Sequence, residues 1–211
     1  MANDALLAAP GAWPRFREGD ELCGHDPNPF FVRGRDGRYV DLARDVGLGE
    51  PQVSRGIALA DVDGDGDLDF AVANQWETSF FYRNECPDPG AFLGLHLLLP
   101  LEAGSPGATV TRRGHPDAEV RGRPAIGATA SVLLPDGHKL VAQVDGGNGH
   151  SGKRSADLHF GLGRTSRHSK VSVDLRWRDL NGKVREERFE LTPGWHTIEL
   201  GWPAEGNEGS R

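Results

Sequence analysis

Five aspartates fall within nine consecutive positions, Asp61-Val-Asp63-Gly-Asp65-Gly-Asp67-Leu-Asp69. This spacing constrains the chain strongly, because carboxylates so close together repel one another unless protons, solvent or a cation neutralise them. Carboxylates at positions 1, 3, 5 and 9, with glycine at position 6 for the sharp turn, supply the oxygen ligands of Ca²⁺, while position 7 offers its backbone carbonyl. The sequence predicts a calcium site. Its residues are Asp61, Asp63, Asp65, Asp67 and Asp69.

Two other structures would account for part of this pattern. An Asp-Gly-rich hairpin turn without an ion would need only one or two such residues, not five at alternating positions. An EF-hand requires a bidentate Glu at position 12 and flanking helices. Position 12 is Val72, and the flanking segments 56–60 and 68–73 have the composition of strands. The sequence therefore favours a calcium loop between two strands.

Composition excludes some classes of protein. The 211 residues carry a formal charge of −7 and no dense basic run with interleaved aromatics, which argues against a nucleic-acid partner. The longest apolar stretch, 93–101, is interrupted by glycine, histidine and proline and is shorter than the roughly 20 residues of a membrane span. The amino terminus lacks the positive charge and apolar run of a signal peptide. We therefore expect no membrane span and see no export signal.

Short apolar runs alternate with Gly, Pro and Asp/Asn clusters about every ten residues, which predicts an all-β fold. One helical turn is predicted at 41–46. In the first half, strands are predicted at 30–33, 56–60, 68–73 and 80–83. In the second half, alternating apolar residues predict a hairpin around Pro135-Asp-Gly137, another around Asn181-Gly182, and a last strand at 196–200. This half is predicted to be an antiparallel sandwich or barrel.

The other motifs in the sequence give weaker evidence for a binding or catalytic site. The segment Gly147-Asn-Gly-His-Ser-Gly-Lys-Arg154 approaches a phosphate-binding loop, but Arg154 stands where the motif needs Ser or Thr and no helix can follow. His150 and Ser151 do not form a nucleophile elbow, so no catalytic residue is predicted. The histidines and tryptophans are predicted to have ordinary packing and hydrogen-bonding roles. Cys23 and Cys86 could form one disulfide or remain two thiols.

Parts of the first half resemble one FG-GAP/VCBS repeat, the unit of integrin-like β-propellers. The resemblance rests on segments 30–48 and 81–84 and on Arg55-Gly-Ile-Ala-Leu-Ala-Asp-Val-Asp-Gly-Asp-Gly-Asp-Leu-Asp-Phe70. In that family the D-x-D-x-D-G-x-x-D loop binds calcium, which implies Asp61, Asp63, Asp65 and Asp69 as ligands here.

The second half resembles an ASPIC/UnbV domain, through 92–95 and 173–177, Gly122-Arg-Pro-Ala-Ile-Gly127, Gly147-Asn-Gly-His-Ser-Gly152 and Leu158-His-Phe-Gly-Leu-Gly163. Together the two halves resemble the C-terminal part of the cartilage acidic protein family. Family members carry several repeats closed into a propeller and usually an export signal, whereas this chain shows one calcium loop. Either it is the end of a longer protein, or its single blade packs on the second domain or on a partner.

The resemblance implies an organisation and a function. We expect an extension at 1–27, a calcium-binding blade at 28–89, an ASPIC/UnbV-like β domain at 90–202 and a disordered tail at 203–211. The implied function is a calcium-dependent interaction module, secreted or extracytoplasmic, with a protein or glycan partner or the rest of a longer propeller. The alternative is part of a calcium-dependent enzyme of natural-product metabolism.

Overall fold

The computed structural model describes residues 17–18, 26–34, 36–87, 89–101, 107–147 and 153–202, which contain strands and turns and no helix. The all-β prediction is confirmed. No segment of the described chain forms a helix suited to crossing a membrane. The predicted tail and most of the predicted extension lie outside the described residues. The strands are β1 (Phe31–Arg33), β2 (Tyr39–Asp41), β3 (Ser54–Ala60), β4 (Asp69–Asn74), β5 (Phe80–Tyr82), β6 (Ala91–Leu99), β7 (Val110–Arg113), β8 (Arg123–Pro124), β9 (Thr129–Leu133), β10 (Lys139–Gln143), β11 (Lys153–Arg154), β12 (Leu158–Gly163), β13 (Val171–Arg178), β14 (Val184–Leu191) and β15 (Gly194–Glu199).

The first five strands, together with β11, form two small sheets. Strands β1 and β2 pair as an antiparallel hairpin, and the other sheet has the order β11-β3-β4-β5. The predicted strands of this half are confirmed, and β2 was not predicted. The predicted helical turn is a single hydrogen-bonded turn, in which Val46 N–H donates to the Leu42 carbonyl (3.1 Å), and it ends at Gly47 with a φ of 78°.

The second half is a two-sheet β-sandwich. One sheet has the order β10-β9-β13-β14, and the other has the order β12-β6-β15-β7 with β8 beside β6. Apolar side chains from both sheets, including Leu95, Val132, Val173 and Ile198, belong to one buried core. Both predicted hairpins are present. The pairing of β15 with β6 is parallel, unlike the antiparallel arrangement predicted for this half. A long connection through the opposite sheet separates the two strands, so no hairpin turn requires them to be antiparallel.

The chain divides into two compact units. One comprises Met1–Gly56 and Ala71–Phe80, and the other comprises Ile57–Phe70 and Phe81–Arg211. The aspartate-rich loop and the sandwich therefore belong to the same unit.

In the smaller unit a polar network links neighbouring segments, because the Ser54 hydroxyl accepts from Asn28 (2.7 Å) and donates to Asn74 (2.8 Å). Trp76, predicted to pack in a core or at an edge, is instead 58% exposed with a φ of 63°. Three other tryptophans were also predicted to pack in a core or at an edge, and all three are buried: Trp177, Trp195 and Trp202.

Candidate metal centre

The loop between β3 and β4 folds around the carboxylate of Asp61. Its Oδ1 accepts the Gly64 N–H (2.8 Å) and its Oδ2 accepts the Gly66 N–H (3.1 Å). Both glycines have positive φ values, 78° for Gly64 and 99° for Gly66. Glycine adopts this conformation without a steric penalty, so the Gly residues of the motif allow the loop to turn its carboxylates inward.

Three of the five predicted ligands lie together. One carboxylate oxygen from each of Asp61, Asp63 and Asp65 lies within 4.8 Å of the other two, so the group could hold a metal ion. Asp61 is half-buried and the other two are exposed. The Asp63 carboxylate is also 3.6 Å from Arg83 Nε, so part of its charge is already balanced. An all-oxygen set of this kind suits a hard divalent cation.

The remaining two predicted ligands lie outside this group. Asp69 is fully buried, and its two oxygens accept the N–H groups of Val62 (3.0 Å) and Asn84 (2.8 Å). Its carboxylate therefore ties the start of the loop to the segment that follows β5. Asp67 Oδ2 accepts the Cys86 N–H (3.1 Å), while Asp67 Oδ1 is buried without a hydrogen-bond donor among the described residues. A buried, unpartnered carboxylate oxygen is costly unless a proton or a cation compensates it.

The carboxyl groups of Asp65 and Asp67 are perturbed in opposite directions. The Asp67 N–H bonded to Asp65 lowers the pKa of Asp65. Burial, followed by the nearby carboxylates of Asp65 and Asp69, raises the pKa of Asp67. Two neighbouring carboxyl groups repel each other when both are ionised. A bound cation would reduce this repulsion and favour the ionised form of both.

The loop packs against the β6–β15 side of the sandwich. Trp195 Nε1–H donates to Asp61 Oδ2 (2.8 Å), and His159 Nε2 is hydrogen-bonded to the Gly66 carbonyl (2.8 Å). Gly66 lies so close to Phe92 that a Cβ on it would be 2.1 Å from a ring carbon. The loop conformation therefore depends on side chains from β6, β12 and β15, which are far away in the sequence.

Five rings form an aromatic cluster beneath the loop. Trp195 stacks on His96 (4.8 Å between centroids) and contacts His115 at the same distance, while His96 Nε2 and His115 Nδ1 are 2.9 Å apart. Phe92 stacks on His159 (5.1 Å). Burial lowers the pKa of His96. The histidines have the hydrogen-bonding roles predicted for them, but the sequence did not predict that three would gather at the loop.

Two other predictions concern residues that the structure describes only in part. His150 and Ser151 lie outside the described residues, while Lys153 and Arg154 form the short edge strand β11, parallel to β3. Cys86 is exposed and is a free thiol, and Cys23 lies outside the described residues.

Comparison with protein families identifies two segments of the chain. Residues 55–85 match the FG-GAP repeat, and residues 119–207 match the family described as ASPIC and UnbV. The chain contains an FG-GAP repeat followed by an ASPIC/UnbV domain. The FG-GAP repeat contains the whole aspartate-rich loop, and the ASPIC/UnbV domain contains His159 and Trp195, which bind that loop. No curated protein matches the chain.

Proposed function

We propose that this FG-GAP and ASPIC/UnbV protein is a calcium-binding interaction module, in which the ion stabilises the loop between β3 and β4. The supporting observation is the grouping of Asp61, Asp63 and Asp65 oxygens within 4.8 Å. The buried, unpartnered Oδ1 of Asp67 adds to it, since a cation nearby would compensate that oxygen. The match to an FG-GAP repeat over 55–85 favours the same chemistry.

In this proposal the five aspartates have different roles. Asp61, Asp63 and Asp65 bind the ion through their carboxylates, and Asp67 contributes its backbone carbonyl, as position 7 does in calcium loops. Asp69, at position 9, is the remaining proposed ligand, although it already accepts two backbone N–H groups. The ion would supply the charge that lets these groups stay close together, and no residue of the loop is assigned a catalytic role.

The proposed interaction surface lies on the first two strands. Phe31 and Tyr39 are exposed large hydrophobic side chains on one face of this hairpin, and exposed apolar patches mark binding surfaces. We propose that a protein or glycan partner, or further repeats of a longer propeller, bind them. The domain limits 28–89 and 90–202 and an extracytoplasmic or secreted location belong to the same proposal.

The test is the melting temperature of the 211-residue chain in EDTA and across a calcium titration, with magnesium as the control. A ligand that binds only the folded state stabilises it by about 2.7 kcal/mol at a concentration 100 times its Kd, which raises Tm by roughly 5–10 °C for a chain of this size. Asp63→Ala and Asp65→Ala should abolish the rise.

Asp45→Ala is the matched control for those two variants, because Asp45 is an exposed aspartate outside the loop. It should keep the full response to calcium. Equal melting of the parent, Asp63→Ala and Asp65→Ala in saturating calcium would refute the proposed site.

A further inference from the structure

A cleft of about 310 Å³ opens beside the aspartate-rich loop, within the same compact unit. Asp65 lines it on the loop side, Phe92 and Trp195 supply aromatic surface, and Arg113 and Arg167 supply positive charge. We call it the Arg113–Arg167 cleft. Its volume is at the lower end of the range of small-molecule sites.

The two arginines of the cleft have no carboxylate partner among the described residues. Arg113 makes one long hydrogen bond, from Nη2 to the Pro193 carbonyl (3.5 Å). Two other arginines of the sandwich differ in this respect, because Arg112 pairs with Glu199 and Arg188 pairs with Asp174. The chain has 31 acidic and 24 basic residues, and two arginines without a carboxylate partner line this one cleft. They are suited to bind an anion, bidentately where it is a carboxylate.

The aromatic surface of the cleft is held in place before any ligand arrives. The Trp195 indole is bonded to Asp61 and stacked on His96, and Phe92 is stacked on His159. Gly114 and Gly194 line the cleft without side chains, and both have positive φ values (99° and 117°). A rigid aromatic surface beside open backbone favours a ligand with a flat or apolar face.

The local charge selects a singly charged anion and makes its binding depend on the metal. The loop carries five carboxylates, more than the two guanidinium groups of the cleft can balance. A divalent cation in the loop adds two positive charges beside the cleft and weakens the repulsion of an anion there. A monocarboxylate meets less of the remaining negative charge than a phosphate dianion does.

We propose that the Arg113–Arg167 cleft binds a small organic monocarboxylate when a divalent cation occupies the aspartate-rich loop. The carboxylate lies between the two guanidinium groups, and the rest of the ligand contacts Phe92 and Trp195. This inference rests on the proposed calcium function, because it names the ligand class of the module. Sugar acids and aromatic acids share the required chemistry, and the experiment distinguishes them.

The experiment measures binding of two carboxylates and their neutral counterparts by ligand-observed NMR. The probes are glucuronate with glucose and phenylacetate with phenylacetamide. Each is titrated with saturating calcium and again in buffer depleted of metal by chelating resin, since EDTA is itself a carboxylate. At least one carboxylate should bind in calcium while its neutral counterpart does not, and removal of calcium should weaken that binding about fivefold or more.

Arg113→Gln and Arg167→Gln should each weaken carboxylate binding about tenfold or more, as expected for a lost charge-assisted hydrogen bond. Arg112→Gln is the matched control, because Arg112 immediately precedes Arg113 in the same strand and pairs with Glu199. It should bind the carboxylate like the parent. All three variants should keep the calcium-induced rise in melting temperature, which shows that they are folded and that the metal site is intact.

The failures of the two proposals are distinguishable. A parent whose melting temperature does not respond to calcium refutes the calcium function and, with it, the metal dependence of the cleft. If the parent responds to calcium but binds neither carboxylate, or binds one equally well after Arg113→Gln and Arg167→Gln, the cleft proposal is refuted and the calcium function stands. Equal carboxylate binding with and without bound calcium also refutes it.

Discussion

Trp195→Phe tests whether the sandwich holds the aspartate-rich loop through the indole of Trp195. The substitution keeps an aromatic ring over His96 and Gly94 but removes the N–H that donates to Asp61 Oδ2 at 2.8 Å. Trp195 is only 7% exposed, so solvent cannot replace the lost bond fully. We expect the variant to be less stable in the absence of calcium, because the Asp61 carboxylate loses one of its three donors.

The magnitude follows from the type of bond. A hydrogen bond to a charged group contributes about 1.5–3 kcal/mol, and Asp61 Oδ2 keeps the Gly66 N–H as a second donor. We therefore expect a hydrogen-bond loss of about 2 kcal/mol, corresponding to a decrease in Tm of roughly 4–8 °C. Urea unfolding followed by far-ultraviolet circular dichroism, in EDTA, measures this loss without depending on tryptophan fluorescence.

Trp177→Phe is the control. Trp177 is 4% exposed, and its Nε1 is buried with no acceptor among the described residues. The same change of ring size there removes packing but no hydrogen bond. The difference between the two variants in free energy of unfolding contains the bond to Asp61 and the relief of the unpaired Trp177 N–H, and both make Trp195→Phe the more costly change. If Trp195→Phe costs no more than Trp177→Phe, the loop does not depend on the indole.

Two further predictions concern the loop and the sandwich. Gly66→Ala should destabilise the protein by about 1–3 kcal/mol more than Gly64→Ala, because both have positive φ but only Gly66 would place a Cβ against Phe92; equal melting temperatures of the two variants would contradict this. Asp179→Ala should cost about 3 kcal/mol or more in urea unfolding, because it leaves the nearly buried Arg185 without its partner; a loss under about 1 kcal/mol would contradict this. Burial raises the pKa of Asp179, but hydrogen bonds from Arg185 and two backbone N–H groups lower it below its usual value, so this stability is present above about pH 4 and is lost as acidification proceeds through the folded-state pKa. Acid titration of stability should be shallower in Asp179→Ala than in the parent, and equal slopes would count against the assignment.

Local patterns accounted for most strands. The alternation of Val171, Val173, Leu175 and Trp177 predicted β13 and its buried face, since successive side chains of a strand point to opposite faces. The turn Asn181-Gly182 predicted the hairpin to β14 because glycine tolerates the positive φ, here 81°. Strand β6 was not predicted. Phe92 and Leu98 are apolar residues at positions where a simple alternation would place polar ones, so the segment has no clear period of two.

The candidate site was predicted in part. The spacing of the aspartates indicated a metal loop, because segment 61–69 has an aspartate at every second position and contains no basic residue to balance their charge. It did not separate the three grouped carboxylates from Asp69, whose burial depends on the N–H of Asn84 after β5. A short stretch of sequence shows which residue types could bind a metal ion. It does not show which hydrogen-bond donors from elsewhere in the chain are bonded to the same carboxylates in the folded protein.

The sequence by itself determined that this chain forms strands and carries a metal-type loop, because both depend on side-chain alternation and on glycines and aspartates within a few residues. Only the tertiary structure decided what surrounds that loop. Trp195 is 134 positions from Asp61, and His159 is 93 positions from Gly66. Their approach depends on the parallel pairing of β15 with β6 and the antiparallel pairing of β12 with β6. Pairing between distant strands is set by burial of a shared core, which no local pattern specifies.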